Sequence, residues 1–545
     1  MKNFFIYLSF IFFLTSCDGE SILSAKGEKA ESEKKISKRD ISITAANSYS
    51  DLFFDSSAIE KFIADNQLNN SVTRRMRSFY NARNYQYAWF TSNGLTEQAR
   101  GFWNLHDYVT SYNNDSILID KKLQSTMDRL IAAENLSVSA SDKNSLNTEL
   151  KLTHHFIHYM LNNFEKGYVK RKEMERFVPR KREDAMYLAD SLLNKKHNDD
   201  KYFENVHVRY GALKTEMGKY LEITKQGGWP TIEETKAIKK GSSSPAIAQI
   251  KRRLQITGDM PAGDTTQVYT DTLEMAVKNF QQRHGYKPDG TVSATLIKEM
   301  NVPAPKRLQQ IVMNMERMRW MPNEPKSDKL ILVNIPEFML HMYEGNKRVW
   351  DMVVVVGKEG HNTVMFTGDL NQIVFSPYWN VPPSIVKSEI LPAVDRNPNY
   401  LDNQNMEIVN SNGELPTIRQ KPGTGNALGK VKFLFPNSFN IYFHDTPSKS
   451  LFDRDKRAFS HGCIRLQDPF RMAQYLLKDN PEWSAEKINV AMNEGSEKYV
   501  KLKDPVPVFI TYYTSWVDDN GLLNFRDDIY KHDEKLSKKM FVNAL

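Results

Sequence analysis

The run Ala458-Phe459-Ser460-His461-Gly462-Cys463-Ile464-Arg465-Leu466 sets a thiol beside a histidine and a glycine, and a second histidine, His444, lies nineteen residues upstream of the cysteine. These are the parts of a cysteine nucleophile. A free thiol is only a few per cent ionised near neutrality. A neighbouring base or cation must bring its pKa from about 8.5 toward the range of roughly 3.5–7.5 found at reactive sites. Gly462 suits a tight turn, since glycine tolerates positive φ and admits close approach. Two histidines compete for the role of base. His461 is two residues from Cys463 and would share its face in an extended segment, whereas His444 ends the strand-like Asn440–His444. By the same period of two, Arg465 shares the Cys463 face and Tyr442 the His444 face. The alternative is an inert, buried structural cysteine.

The other cysteine bears on the compartment. Residues 1–17, MKNFFIYLSFIFFLTSC, order one lysine, an apolar run and small residues before Cys17. The apolar stretch is short for a bilayer span and has the layout of a secretory signal. It resembles a bacterial lipoprotein signal, which implies lipidation at Cys17 and a membrane anchor in the cell envelope or periplasm. A signal cut elsewhere, or an uncleaved anchor, is the other reading. With Cys17 lipidated, Cys463 has no disulfide partner in the chain and is a reactive-thiol candidate. Residues 18–47, rich in Lys, Glu and Ser, read as a disordered tether. The net charge of +8 is spread over charges of both signs, and no basic block or aromatic–basic stripe argues for nucleic acid.

Beyond the tether the chain reads as multidomain α+β. Residues 48–240 carry helical periodicity and form a helical scaffold. His154 and His158 stand at i and i+4, a spacing that can serve a metal. No HExxH order or acidic third ligand accompanies them, and Phe156, Ile157 and Met160 mark a core stripe, so they read as structural. Gly227, Gly228, Pro230 and the run Gly241–Pro245 mark a boundary. Helical stripes then lead into Phe280-Gln281-Gln282-Arg283-His284-Gly285-Tyr286-Lys287-Pro288-Asp289-Gly290. Residues 244–302 resemble the three-helix peptidoglycan-binding module, whose signature stands here as FQxxHGxxPDGxxxxTL. Ser293 occupies a position where that family usually has glycine, and His284 reads as packing in the turn. From Lys329 the period changes to short β-rich runs, which define a catalytic domain over 325–535. They pause for a lid at about 382–429, and the hairpin Thr514–Val517 to Leu523–Phe525 turns at Asp518–Gly521.

Residues 441–466, IYFHDTPSKSLFDRDKRAFSHGCIRL, resemble the signature of the L,D-transpeptidases with a YkuD-type catalytic domain. The flanks Ser376–Pro383 and Asn426–Lys430, the lid and the helical region resemble the large, capped branch of that family. The resemblance implies that Cys463 attacks the carbonyl joining the third residue of a peptidoglycan stem peptide to its terminal D-alanine, leaving a thioester. The side-chain amine of a neighbouring stem then resolves the thioester into a 3→3 cross-link. His444 would be the base, oriented by the backbone carbonyl of Asp445. Ser460 and His461 would shape the turn, and the N–H groups of Gly462 and Cys463 would hold the oxyanion, worth about 3 kcal/mol each. Arg465 would meet a substrate carboxylate, and Tyr442 and Trp379 would line the groove. Neither metal nor diffusible cofactor is required, and a carbapenem should acylate the thiol. Two other functions remain open. One is an L,D-carboxypeptidase, in which water resolves the thioester; the other is a non-catalytic envelope tether built on the binding module.

Overall fold

The computed structural model describes residues 36–543 except 111–118, 134–135, 165–176, 194–207, 234–235, 322–326, 346 and 412. The expected signal, Cys17 and the tether up to residue 35 lie outside the described residues. From residue 36 the chain is not a tether, so the expected boundary at Asn47 is too late. The Asp40 N–H donates to the Asn81 carbonyl at 2.9 Å, an end-of-helix acceptor that needs an outside donor. Asn84 Nδ2 donates to the Ile43 carbonyl at 2.8 Å, and Ile43 itself is fully buried.

The scaffold is built from α1 (Ser57–Asp65), α2 (Asn70–Asn81), a two-stranded hairpin of β1 (Phe90–Thr91) and β2 (Gly94–Leu95), α3 (Glu97–Thr110), α4 (Lys121–Ala132), α5 (Lys143–Phe164), α6 (Ala185–Leu193) and α7 (Val208–Lys225). Their apolar stripes meet around Trp89, Phe102 and Phe156, whose rings pack at centroid distances of 5.3–5.4 Å. Glu149 is buried in this core and accepts from the N–H groups of Ala88 and Trp89 at 2.7 and 2.9 Å. Burial still pushes its carboxyl up to about 7. His154 and His158 meet edge to face at 4.7 Å, and His106 Nε2 lies 2.9 Å from His155 Nδ1 in a buried pair. Among the described residues no group of three or more His, Cys, Asp or Glu is placed to hold a metal.

The next unit, α8 (Pro245–Ile256), α9 (Asp271–Arg283) and α10 (Ala294–Met300), closes its own core around Ile250, Leu254, Phe280 and Leu296. Its signature residues hold the fold: Gln281 bonds Asp289, the Thr291 carbonyl and the Gly290 N–H. Ser293, the departure from the usual glycine, caps α10 by accepting from the Leu296 N–H. His284 stacks between Phe280 and Phe525 at 3.7 and 5.4 Å, as packing and not as a ligand.

A helix that the periodicity left unassigned, α11 (Ala304–Met318), returns the chain to the scaffold core through Leu308, Ile311 and Met315. The catalytic sheet follows. It comprises β3 (Lys329–Asn334), β4 (Met339–Glu344), β5 (Lys347–Gly357), β6 (Phe366–Phe375), β10 (Val431–Leu434), β11 (Phe443–His444), β12 (Ala458–Ser460), β13 (Ile464–Leu466) and β14 (Lys498–Thr511), in the order β12-β5-β13-β11-β10-β6-β14-β3-β4. The long β5 also pairs with β4, which closes the sheet on itself around Val333, Val354, Ile373, Phe433 and Ile464.

The lid carries β7 (Trp379–Asn380), β8 (Met406–Asn410) and β9 (Thr417–Gln420) as a separate small sheet. Its helices are α12 (Pro383–Ile385), α13 (Leu391–Arg396) and α14 (Tyr400–Asn403). It has a core of its own from Val381, Val386, Ile390, Met406 and Ile418. Outside the sheet, α15 (Pro469–Leu477) and α16 (Ala485–Asn493) cover the barrel.

The catalytic domain does not extend to residue 535 as one body. The hairpin β15 (Ser515–Val517) and β16 (Leu523–Phe525), with α17 (His532–Met540), packs into the scaffold core. Asn314 of α11 bonds both the N–H and the hydroxyl of Thr514, and Arg317 reaches Asp533 at 2.6 Å. No helix among the described residues is long and apolar enough to cross a membrane.

Candidate active site

Three neighbouring strands assemble the site. In the antiparallel pair β10–β11, Lys432 stands opposite His444; in the parallel pair β11–β13, His444 stands opposite Arg465 and Phe443 opposite Ile464. Phe443 and Ile464 are wholly buried inside the barrel. Alternation therefore sends Tyr442, His444, Cys463, Arg465 and Lys432 to the other face. The sequence periods found four of these five, and Lys432 emerges only from the register.

His444 is buried at 4 % exposure. Its Nδ1–H donates to the Asp445 carbonyl at 2.5 Å, leaving Nε2 as the acceptor. Burial, reinforced by the Arg465 cation, lowers its pKa to about 3, so the ring is neutral at physiological pH. The Asp445 backbone is held by its own side chain: the carboxylate accepts from the Lys430 N–H at 2.9 Å and from Lys449 Nζ at 2.7 Å. Gly429 makes room for that carboxylate. A Cβ at residue 429 would fall 2.4 Å from its carbon and one oxygen.

Cys463 is half-buried and reduced, and its thiol donates to the Asn440 carbonyl at 3.5 Å. Asn440 takes a left-handed φ of 54° in a loop that the Asn437 side chain holds through the carbonyls of Phe435 and Ile441. Contrary to the expected depression, burial pushes the thiol up to about 11, against the lowering influence of Tyr442 and Arg465. Among the described residues no hydrogen bond joins Cys463 to His444. Arg465 belongs to no ion pair among the described residues, and its Nε is buried without a partner.

Two expectations change here. His461 does not share the Cys463 face, because Gly462 at φ +113° turns the chain between them. The His461 Nε2 instead lies 3.0 Å from Glu389 of the lid. The Gly462 N–H is not free for an oxyanion, since it donates to Ser460 Oγ at 3.1 Å, and that hydroxyl in turn donates to the Cys463 carbonyl at 2.5 Å. Trp379, expected in the groove, packs half-buried against the lid core. At the lid root, both backbone groups of Tyr378 are held. Its N–H donates to Glu497 at 3.0 Å, and its carbonyl accepts from Lys432 Nζ at 3.3 Å. Lys432, Glu497, Asn440 and Glu389 carry no motif of their own, and only the folded chain brings them to the site.

Comparison with known proteins identifies three domains in the chain. Residues 328–508 match the family described as "L,D-transpeptidase catalytic domain", 74–217 the "Scaffold domain" and 243–300 the "Putative peptidoglycan binding domain". Residues 328–508 thus match a YkuD-type L,D-transpeptidase catalytic domain. A curated relative from Haemophilus influenzae, named "Putative L,D-transpeptidase", is 30% identical over 245 residues, 42% of this chain and 49% of that protein. The chain thus spans about half the length of the relative it matches. Among solved structures, an L,D-transpeptidase from Mycobacterium smegmatis aligns at 14% identity with a TM-score of 0.20, over 34% of this chain and 59% of its own. One from Stackebrandtia nassauensis aligns at 14% identity and 0.20, over 52% and 96%. Superpositions this loose carry no argument.

Proposed function

We propose that the chain is an envelope L,D-transpeptidase that forms 3→3 cross-links between peptidoglycan stem peptides through a thioester on Cys463, held at a membrane by lipid on Cys17. The observation that carries this reading is the fixed tautomer of His444. With Nδ1–H given to the Asp445 carbonyl, the Nε2 lone pair is the one available on the face that carries Cys463.

A high thiol pKa and a low imidazole pKa oppose a resting thiolate–imidazolium pair. The thiol proton therefore passes to His444 Nε2 as sulfur attacks the donor carbonyl. The tetrahedral oxyanion takes the Cys463 N–H, the donor left once Gly462 is committed to Ser460. His444 then returns the proton to the departing D-alanine amine, leaving the thioester. The acceptor amine attacks the thioester, gives its proton to His444 and closes the new amide, and the thiol is restored. Arg465, a cation beside the thiol with no carboxylate partner among the described residues, suits a carboxylate of the stem. The binding module keeps the enzyme on its polymer, and no step calls on a metal or cofactor.

The test is a carbapenem challenge read by intact-protein mass. The wild-type chain should gain one adduct and Cys463→Ala none, whereas an unmodified wild type would favour a non-catalytic tether. Muropeptides from a Cys463→Ala strain should lack 3→3 dimers; loss of tripeptides alone would make the enzyme a carboxypeptidase.

A further inference from the structure

The catalytic turn holds a histidine that the reaction above leaves idle. Gly462 swings His461 away from the thiol, toward the lid, where its Nε2 meets Glu389 Oε1 at 3.0 Å. The turn is bracketed from the other side by the loop after β5. Thr363 Oγ1 donates to the Gly462 carbonyl at 2.8 Å, and His361 meets the His461 ring edge-on at 4.8 Å. The charged and titratable groups facing His461 are thus Glu389 from the lid and His361 and Lys358 from this loop.

Glu389 reaches His461 through an irregular stretch of helix. Between α12 and α13 the lid helix widens into a π turn, Val386–Ile390, and Glu389 lies within it. The cause is two residues further on. Pro392 has no N–H for the Ser388 carbonyl and its ring crowds that group, so a regular α turn is unavailable. Such widened turns cluster at functional sites. Val386 and Ile390, exposed by only 1% and 3%, pin the turn to the lid core and leave Glu389 to point out of it.

We propose that Glu389 is a positioning residue of the catalytic site. With its carboxylate 3.0 Å from Nε2 it orients the His461 ring, and the Ser460–Cys463 turn takes its reactive shape only with the lid seated. The proposal rests on the reading of Cys463 as nucleophile, and it makes the lid part of the site as well as its cover. Glu389 lies 74 residues before Cys463 and belongs to no motif around it.

Glu389→Ala, Glu389→Gln and, as a control on the same helix, Asp395→Ala test it in the full chain. Hydrogen exchange is followed at 383–396 and 458–466 beside steady-state cross-linking. Glu389→Ala should speed exchange in both segments and lower kcat at least fivefold with KM within twofold. Glu389→Gln keeps an acceptor oxygen and should return to within twofold of wild type, and Asp395→Ala should match wild type throughout. Unchanged exchange at 458–466 in Glu389→Ala, or a Glu389→Gln as impaired as Glu389→Ala, overturns the proposal. If the wild type fails to cross-link at all, the carbapenem adduct judges the proposed function, while the exchange result still judges this contact.

Discussion

Replacing Gly429 by alanine should damage the active site through a carboxylate that never touches substrate. Gly429 has φ +61°, where an L-residue costs about 1–2 kcal/mol. Its new Cβ would lie 2.4 Å from the Asp445 carboxyl, so that side chain must retreat by roughly 1 Å to reach an ordinary contact. Retreat breaks the Lys430 N–H bond, a part-buried charge-assisted contact worth about 1.5–3 kcal/mol. The Lys449 pair adds less than about 1 kcal/mol, because Lys449 is half exposed. A total near 4 kcal/mol should lower the melting of the catalytic domain by roughly 8–16 °C. The displaced Asp445 carbonyl also loosens His444, and a misplacement of about 1 Å can cost up to 100-fold in rate. The assay is carbapenem acylation beside a thermal melt, with Gly425→Ala as control, since nothing lies within 4 Å of a Cβ there. Acylation within twofold of wild type, with melting unchanged, would refute the reasoning.

Other outcomes follow from buried charge. In the scaffold, burial holds His106 down to about 4 and His155 to about 3, so the unfolded chain binds more protons below about 6.5. Their stabilisation is present above pH 6.5 and is lost as pH falls toward 4, and melts of the scaffold transition that stay flat from pH 6.5 to 4.5 would contradict this. His341 has the opposite sign. Glu337 and Asp351 raise it, against burial, to about 9, so its contribution is full below pH 6.5 and fades as pH rises through 9. His341→Leu strands Glu337 and should cost about 3–5 kcal/mol at pH 7, measured by denaturant unfolding. Arg283 is buried between Asp259, at 2.5 Å, and the Leu523 carbonyl. Arg283→Ala should raise hydrogen exchange across 244–302 and 523–525 while leaving the barrel's protection unchanged.

Period two, applied to 440–444 and 463–465, already set Tyr442 with His444 and Cys463 with Arg465, and the parallel pairing of β11 with β13 joined those pairs. What periodicity cannot reach is the neighbour across a strand: Lys432 is beside His444 only because β10 pairs with β11 in that register. His461 went astray because one left-handed glycine cancels strand alternation locally. The burial that raises the thiol pKa is equally invisible in a string of residues, as it depends on what the folded chain packs around Cys463. The scaffold's extent was misjudged for a related reason. The helical period reads to residue 240, yet α11, β15, β16 and α17 complete the same core from residues 304–541. Nothing local marks a contact made between Asn314 and Thr514, 200 positions apart.

That last closure has a consequence for how the molecule comes into being. The scaffold's first helices emerge early in synthesis, but Phe525, Leu536 and Phe541 fill their core from the far end of the chain. At about 5–20 residues per second, the helices up to Phe164 wait on the order of 20–75 seconds for those side chains. During the wait an aromatic-rich half-core stays open to water or to a chaperone. A chain cut just after the catalytic barrel would keep Cys463 and His444 but lose Phe525, Leu536 and Phe541 from the core of its first domain.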